Sequence, residues 1–260
     1  MCTLVILRRP EHDWPVIIGA NRDEMINRPA LPPGRHWPDR EEVVAGLDTQ
    51  AGGSWLGVND WGVAAAILNR HGSLGPAAGL RTRGELVLEA LDHADAVAAA
   101  AALSHLDPRA YRTFNLIVAD NRDGFWLRHA GGGPIEVRPI GDGLSIIASG
   151  DINELVHRRL VLAEPHFQAA ETPDPDRDNW TEWERLLSDG EPPPGEPAES
   201  ALRFRLPHGY GTVSSALIAL PAPALHTSTL ASRKPKFRYA SWQPAATPWR
   251  DVTEPLARPL

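Results

Sequence analysis

The sequence predicts an α+β fold built mainly from antiparallel hairpins. Apolar runs follow one another in pairs, joined by short polar links such as Glu11-His12-Asp13 and Asn59-Asp60-Trp61-Gly62. The two main helical regions are residues 82–106 and 151–168. Strands therefore follow strands instead of alternating with helices, which argues against a parallel βαβ sheet. No GxGxxG stretch sits between a strand and a helix, so a dinucleotide-binding fold has no support.

Residues 2–9 and 14–20 are the first expected strands. Leu4-Val5-Ile6-Leu7 and Val16-Ile17-Ile18 are apolar at nearly every position, as in a sheet covered on both faces. A hairpin between them returns Asn21-Arg22-Asp23-Glu24, read as the strand's polar end, to the neighbourhood of Cys2. Residues 25–42 hold Pro29, Pro32, Pro33, Gly34 and Pro38 and read as irregular chain. A short strand at 43–46 precedes a second hairpin, 54–58 with 63–68, which ends in Asn69-Arg70.

Thr82 and Glu85 form a capping-box pattern at the head of the first helical region. Leu86, Val87, Ala90 and Leu91 give its apolar stripe, and Asp92-His93-Ala94-Asp95 is the place where it divides. Residues 114–119 and 125–129 form the next hairpin across Asn121-Arg122-Asp123-Gly124, and 134–139 and 144–148 extend the meander. Asp151, with Glu154 three residues on, is the expected cap of a helix that runs to about Gln168. Residues 171–205 read as an irregular insertion with a short helix through Leu187. Strands at 213–220 and 236–240 complete a single domain over 1–243, and 244–260 reads as a frayed tail.

Hydrophobic residues make up 42% of the chain, enough for a substantial core, and the formal net charge of -7 disfavours a nucleic-acid partner. Arg233-Lys234-Pro235-Lys236 reads as solvated surface. No stretch approaches the roughly 18 apolar residues of a membrane span, and Glu11-His12-Asp13 interrupts the N-terminal run too early for a signal peptide. A lone cysteine forms no internal disulfide, so the expected setting is cytoplasmic. The histidines are dispersed without HExxH, and neither a metal nor a cofactor is expected.

Cys2 is the sharpest candidate for chemistry. Removal of Met1 would leave a cysteine with a free α-amine, so that one residue holds nucleophile and base. The alternative is a small buried hydrophobe at a strand start. Asp23 is placed to orient that amine, and Arg22 to favour a thiolate or to bind an anionic group; a salt-bridged surface turn is the other reading. The Asn69 amide suits an oxyanion hole. Asn21, Trp55, Trp61, His71, Asp151 and Ser214 are candidate pocket residues, although core packing is the commoner use of tryptophan and capping the simpler use of Asp151. Asn115, inside a strand, reads as structural.

Several of these stretches together resemble the NRDE family, also called the transport-and-Golgi-organisation protein 2 family. They are Met1-Cys2-Thr3, Asn21-Arg22-Asp23-Glu24, Gly53-Ser54-Trp55-Leu56-Gly57, Leu68-Asn69-Arg70, Arg83-Gly84-Glu85-Leu86, Phe114-Asn115-Leu116 and Tyr210-Gly211-Thr212 with Ser214-Ser215. That family in turn is similar to the N-terminal-nucleophile hydrolases of the choloylglycine hydrolase and penicillin V acylase branch. The resemblance implies a four-layer αββα sandwich and cysteine amidohydrolase activity on a small non-peptide amide. Cys2 would be the nucleophile, Asp23 its acidic partner and Asn69 the oxyanion donor. Gly150-Asp151 stands where that branch has a later asparagine, and Val213 where an arginine is usual. The family's links to haem trafficking imply the alternative, a non-catalytic small-molecule or haem carrier on the same scaffold.

Overall fold

β-Branched and aliphatic residues shape β1 (Thr3–Arg8) and β2 (Val16–Met25), which pair as an antiparallel hairpin with Leu4 opposite Ala20 and Ile6 opposite Ile18. In the computed structural model, which describes residues 2–223, 233–243 and 245–252, this hairpin is followed by β3 (Ala30–Gly34), β4 (Val43–Asp48), β5 (Leu56–Asn59) and β6 (Ala64–Asn69). Helices α1 (Gly84–Leu91) and α2 (Ala96–Ser104) come next, then β7 (Phe114–Ala119), β8 (Gly124–His129), β9 (Glu136–Pro139) and β10 (Gly143–Ile147). The chain continues through α3 (Arg158–Ala169), α4 (Thr181–Ser188), β11 (Tyr210–Leu220), β12 (Lys236–Ser241) and β13 (Arg250–Asp251).

Among the described residues the strands form two antiparallel sheets. One is ordered β10-β1-β2-β11-β12-β13 and the other runs β3 through β9 in sequence. Leu4, Ile6, Ile18 and Ile218 of the first sheet meet Val58, Ala64, Ile117 and Trp126 of the second. Leu86, Leu91, Ala99 and Leu103 of α1 and α2 cover the outer face of the second sheet over Val43, Ala65, Leu116 and Val118. Leu160, Phe167, Trp183 and Leu187 of α3 and α4 cover the outer face of the first over Val5, Ile17 and Leu217. The layers are therefore helix, sheet, sheet, helix. At the centre of each sheet both faces are buried, which is why the central strands read as continuous apolar runs.

Several elements depart from the sequence expectation for identifiable reasons. β2 does not stop before Asn21 but runs through the polar stretch to Met25, because β11 pairs along it from Val16 to Met25. β3 contains Pro32 and Pro33, tolerated because it is an edge strand with few ladder bonds to donate. β10 leaves the meander and crosses to the other sheet, opposite β1. Asp151 caps no helix: α3 starts at Arg158, and Leu155 and Val156 of the turn before it are exposed. Residues 171–205 contribute α4, whose Trp183, Leu186 and Leu187 belong to the outer core. In the expected tail, Arg250–Asp251 pairs with β12, while Pro244 and residues 253–260 lie outside the described residues, as does Met1. No helix among the described residues is long and apolar enough to cross a membrane.

Candidate functional site

The alternation of side chains along β1 and β2 divides the polar residues of the N-terminal hairpin between two layers. Cys2, Ala20 and Arg22 face the space between the sheets, while Thr3, Asn21 and Asp23 face α3 and α4. Consecutive residues of one motif thus serve different purposes.

On the helix side, the Asp23 carboxylate is fully buried. Its Oδ1 accepts from Thr212 Oγ1 at 2.8 Å and its Oδ2 from Arg159 Nη1 at 2.7 Å. Arg159 is itself buried; it reaches Thr3 Oγ1 and the Glu199 carbonyl and lies 4.4 Å over the Phe204 ring. A bulge between Thr212 and Ser214 of β11 turns the Thr212 hydroxyl to this face, although Ser214, opposite Arg22, keeps to the inner one. Val213 is the extra residue. Asn21 donates to the Leu187 and Leu202 carbonyls and accepts from Ser215 Oγ. It is a tie between β2, β11 and the outer layer.

On the inner side lies a cavity of about 200 Å³ lined by Cys2, Arg22, Trp55, Asn69, Arg83 and Arg112 among others. Cys2 is half-buried. The Asp23 amide donates to its sulfur at 3.4 Å, and the thiol lies 3.7 Å from the Asp23 carbonyl. Burial pushes the Cys2 thiol above its ordinary pKa and the Asp23 carboxylate adds to this, while the Asp23 amide and Arg22 pull the other way. Alkylation by iodoacetamide should therefore be slow at pH 7 and should accelerate with pH to a midpoint above the usual cysteine value of about 8.5. Arg22 stacks 4.0 Å from the Trp55 ring centroid and shares Asp48 with Arg28, at 3.4 and 2.6 Å. Among the described residues the Asn69 carboxamide makes no hydrogen bond, so its donors face the cavity unspent.

Cys2, Arg22, Asp23, Trp55 and Asn69 thus come together, with the Asp23 carboxylate itself behind the strand. A second, much smaller recess beside Cys2 includes Ser214. The other candidates lie elsewhere. Trp61 is 55% exposed in the turn between β5 and β6. His71 is exposed, with its amide bound to the Ser149 carbonyl. Asp151 is held by Arg70 and Arg128 at 2.7 and 2.9 Å, outside the cavity lining. Arg70 also binds Asn115, which Trp126 completes, so Asn115 ties β7 to the segment after β10. Sequence reasoning missed Arg159, although a charged residue four positions before Ala163 and eight before Phe167, on one helical stripe, was its signal. It also missed Arg83 and Arg112, which carry no local sign of convergence. No group of three or more His, Cys, Asp or Glu among the described residues is placed to hold a metal ion.

A family model described as Transport and Golgi organisation 2 matches residues 1–221. The chain belongs to that family. The bovine Transport and Golgi organization protein 2 homolog is 39% identical to this chain over 119 residues, and the human homolog 36% over 111 residues. Each match covers 40% of this chain and 38% of the relative, so the chain spans well under half the length of the curated relatives it matches. Among solved structures, a Caenorhabditis elegans ortholog of N-acylethanolamine-hydrolyzing acid amidase superposes with a TM-score of 0.58 at 14% identity, covering 83% of this chain and 92% of that one. A conjugated bile acid hydrolase variant from Clostridium perfringens gives 0.54 at 10% identity, covering 97% and 93%. Penicillin V acylase from Agrobacterium tumefaciens gives 0.50 at 16%, covering 99% and 88%. These likenesses show that this chain shares its αββα layers with those proteins.

Proposed function

We propose that this chain binds a small organic molecule in the cavity beside Cys2 and carries it without turnover. The observation behind this reading is the cavity itself, walled by Trp55, Ile67 and Leu80 together with arginines, which suits holding an organic molecule. Burial and the Asp23 carboxylate raise the Cys2 pKa, which leaves less of the reactive thiolate and agrees with binding without turnover. The cavity of about 200 Å³ lies below the roughly 300–1,000 Å³ of most ligand sites, so it takes a small molecule or one end of a larger one. Haem, the cargo implied by the family resemblance, would insert only an edge. Haem titration of the full chain, followed by absorbance, tests it: a saturable spectral change is expected of a haem carrier, and its absence removes haem as the cargo.

A second reading keeps the cysteine as an amidohydrolase nucleophile. It is favoured by Cys2 and Asn69 lining one cavity on a scaffold of the N-terminal-nucleophile hydrolase type. Loss of Met1 would free the Cys2 amine to take the thiol proton as sulfur attacks an amide carbonyl. Asn69 would donate to the oxyanion, and Asp23 would orient the amine. The leaving amine would take the proton, and water would then cleave the thioester. Intact mass and an electrophilic lactone probe separate the readings. Carriage predicts no Cys2 adduct and no amide turnover. Met1 absent, together with an adduct and turnover both lost in Cys2→Ala, overturns carriage in favour of hydrolysis.

A further inference from the structure

The chain is acidic overall, with a net charge of -7, yet the cavity beside Cys2 has the opposite sign. Five arginines line it, Arg22, Arg28, Arg81, Arg83 and Arg112, against the carboxylates of Glu24 and Asp48, since the Asp23 carboxylate lies behind the strand. Their partners separate them. Arg22 and Arg28 share Asp48, and Arg81 pairs with Glu85 and Glu89. Arg83 and Arg112 meet no carboxylate among the described residues. Arg83 Nη1 donates to Ser73 Oγ and the Thr113 carbonyl, both at 2.9 Å. Arg112 donates to the Leu74 and Gly72 carbonyls at 2.7 and 2.9 Å.

These neutral contacts fix the two guanidiniums without cancelling their charge. No protein acceptor among the described residues takes either Nε–H. Burial, with like-charge repulsion from Arg112 adding to it, lowers the Arg83 pKa to about 10. Two cations brought together in one wall of a cavity, each with donors to spare, match the planar oxygens of an oxyanion.

We propose that Arg83 and Arg112 form an anion subsite that takes the carboxylate or phosphate end of the ligand, while the rest of it lies along Trp55 toward Cys2. This rests on the reading of the cavity as a ligand site, and it identifies the ligand class as an organic anion. The same subsite would serve a carried molecule or a hydrolysed one.

Calorimetric titration of the full chain with hexanoate, hexyl phosphate and the neutral hexanamide tests the subsite without relying on Cys2 chemistry. At low salt the anions should bind at least about 10-fold more tightly than hexanamide, and Arg83→Gln/Arg112→Gln should abolish that preference while hexanamide binding stays the same. Hexyl phosphate well ahead of hexanoate marks a phosphate ligand, and equal affinities mark a carboxylate; either result supports the subsite. Equal binding of all three probes to the wild-type chain, or an undiminished anion preference in the double variant, overturns the subsite but leaves the ligand site standing. Binding of none of the three removes the ligand site and the subsite with it. Should the double variant melt early, Arg112→Gln alone, which gives up only loop carbonyls, should still weaken the anions by about 3-fold or more. No weakening in a folded Arg112→Gln overturns the proposal as well.

Discussion

Arg159→Met is expected to lower the melting temperature by roughly 6–20 °C, from a loss of about 3–5 kcal/mol when one partner of a buried ion pair is removed. The guanidinium lies 2.7 Å from Asp23 Oδ2, and the Asp23 side chain is fully buried. Methionine fills much of the same volume, so the loss reports charge more than space. Asp23→Leu combined with Arg159→Met should recover a large part of the loss, since a matched apolar pair no longer carries a buried charge. Neighbouring Arg158, exposed and paired with Glu196, is the control: Arg158→Met should scarcely move the transition. The change also reaches the cavity. Asp23 presents its amide and carbonyl to the Cys2 sulfur, so loosening this segment should speed Cys2 alkylation in Arg159→Met even well below the transition. Unchanged alkylation with a lowered melting point would separate the ion pair from the cysteine.

That ion pair also shows what the sequence could and could not reveal. The β1–β2 hairpin was legible because aliphatic and β-branched residues permit little else, and it correctly brought Arg22 and Asp23 to Cys2. The end of β2 was not, because Asn21-Arg22-Asp23-Glu24 is polar enough to read as a turn. Its polarity is tolerated inside a strand only because distant groups answer it: Arg159 from α3, Thr212 from a bulge in β11, the Leu187 and Leu202 carbonyls, and the Trp55 ring. None of these is within 25 residues in sequence, so no local window contains them. Asn69 reached the cavity because a strand end delivers it there, whereas His71 and Asp151, beside strand ends of the same look, and Trp61, offered as a pocket aromatic, are placed elsewhere by tertiary packing. The cationic wall was the least legible part, since Arg83 and Arg112 lie on separate segments that the fold alone brings together.

Gly53→Ala should cost about 2–4 kcal/mol, while Gly52→Asn next to it should cost less than about 1 kcal/mol, because the two glycines are required for different reasons. Gly52 has φ of +76° and nothing within 4 Å of a built Cβ, so asparagine, which tolerates left-handed backbone, replaces it with little strain. A Cβ on Gly53 would lie 2.4 Å from the carbonyl carbon of Gly84, and backbone cannot swing aside as a side chain can. The contact is reciprocal: Ser54 donates its amide to the Gly84 carbonyl at 3.0 Å, joining the β4–β5 link to the head of α1. Relieving the clash must push out residues 82–84 or break that hydrogen bond. Either course moves Arg83, so Gly53→Ala should weaken hexanoate binding along with stability, while Gly52→Asn leaves it intact. If Gly53→Ala instead melts like the wild-type chain and keeps its anion affinity, the close approach of these two backbones does not set the cavity wall.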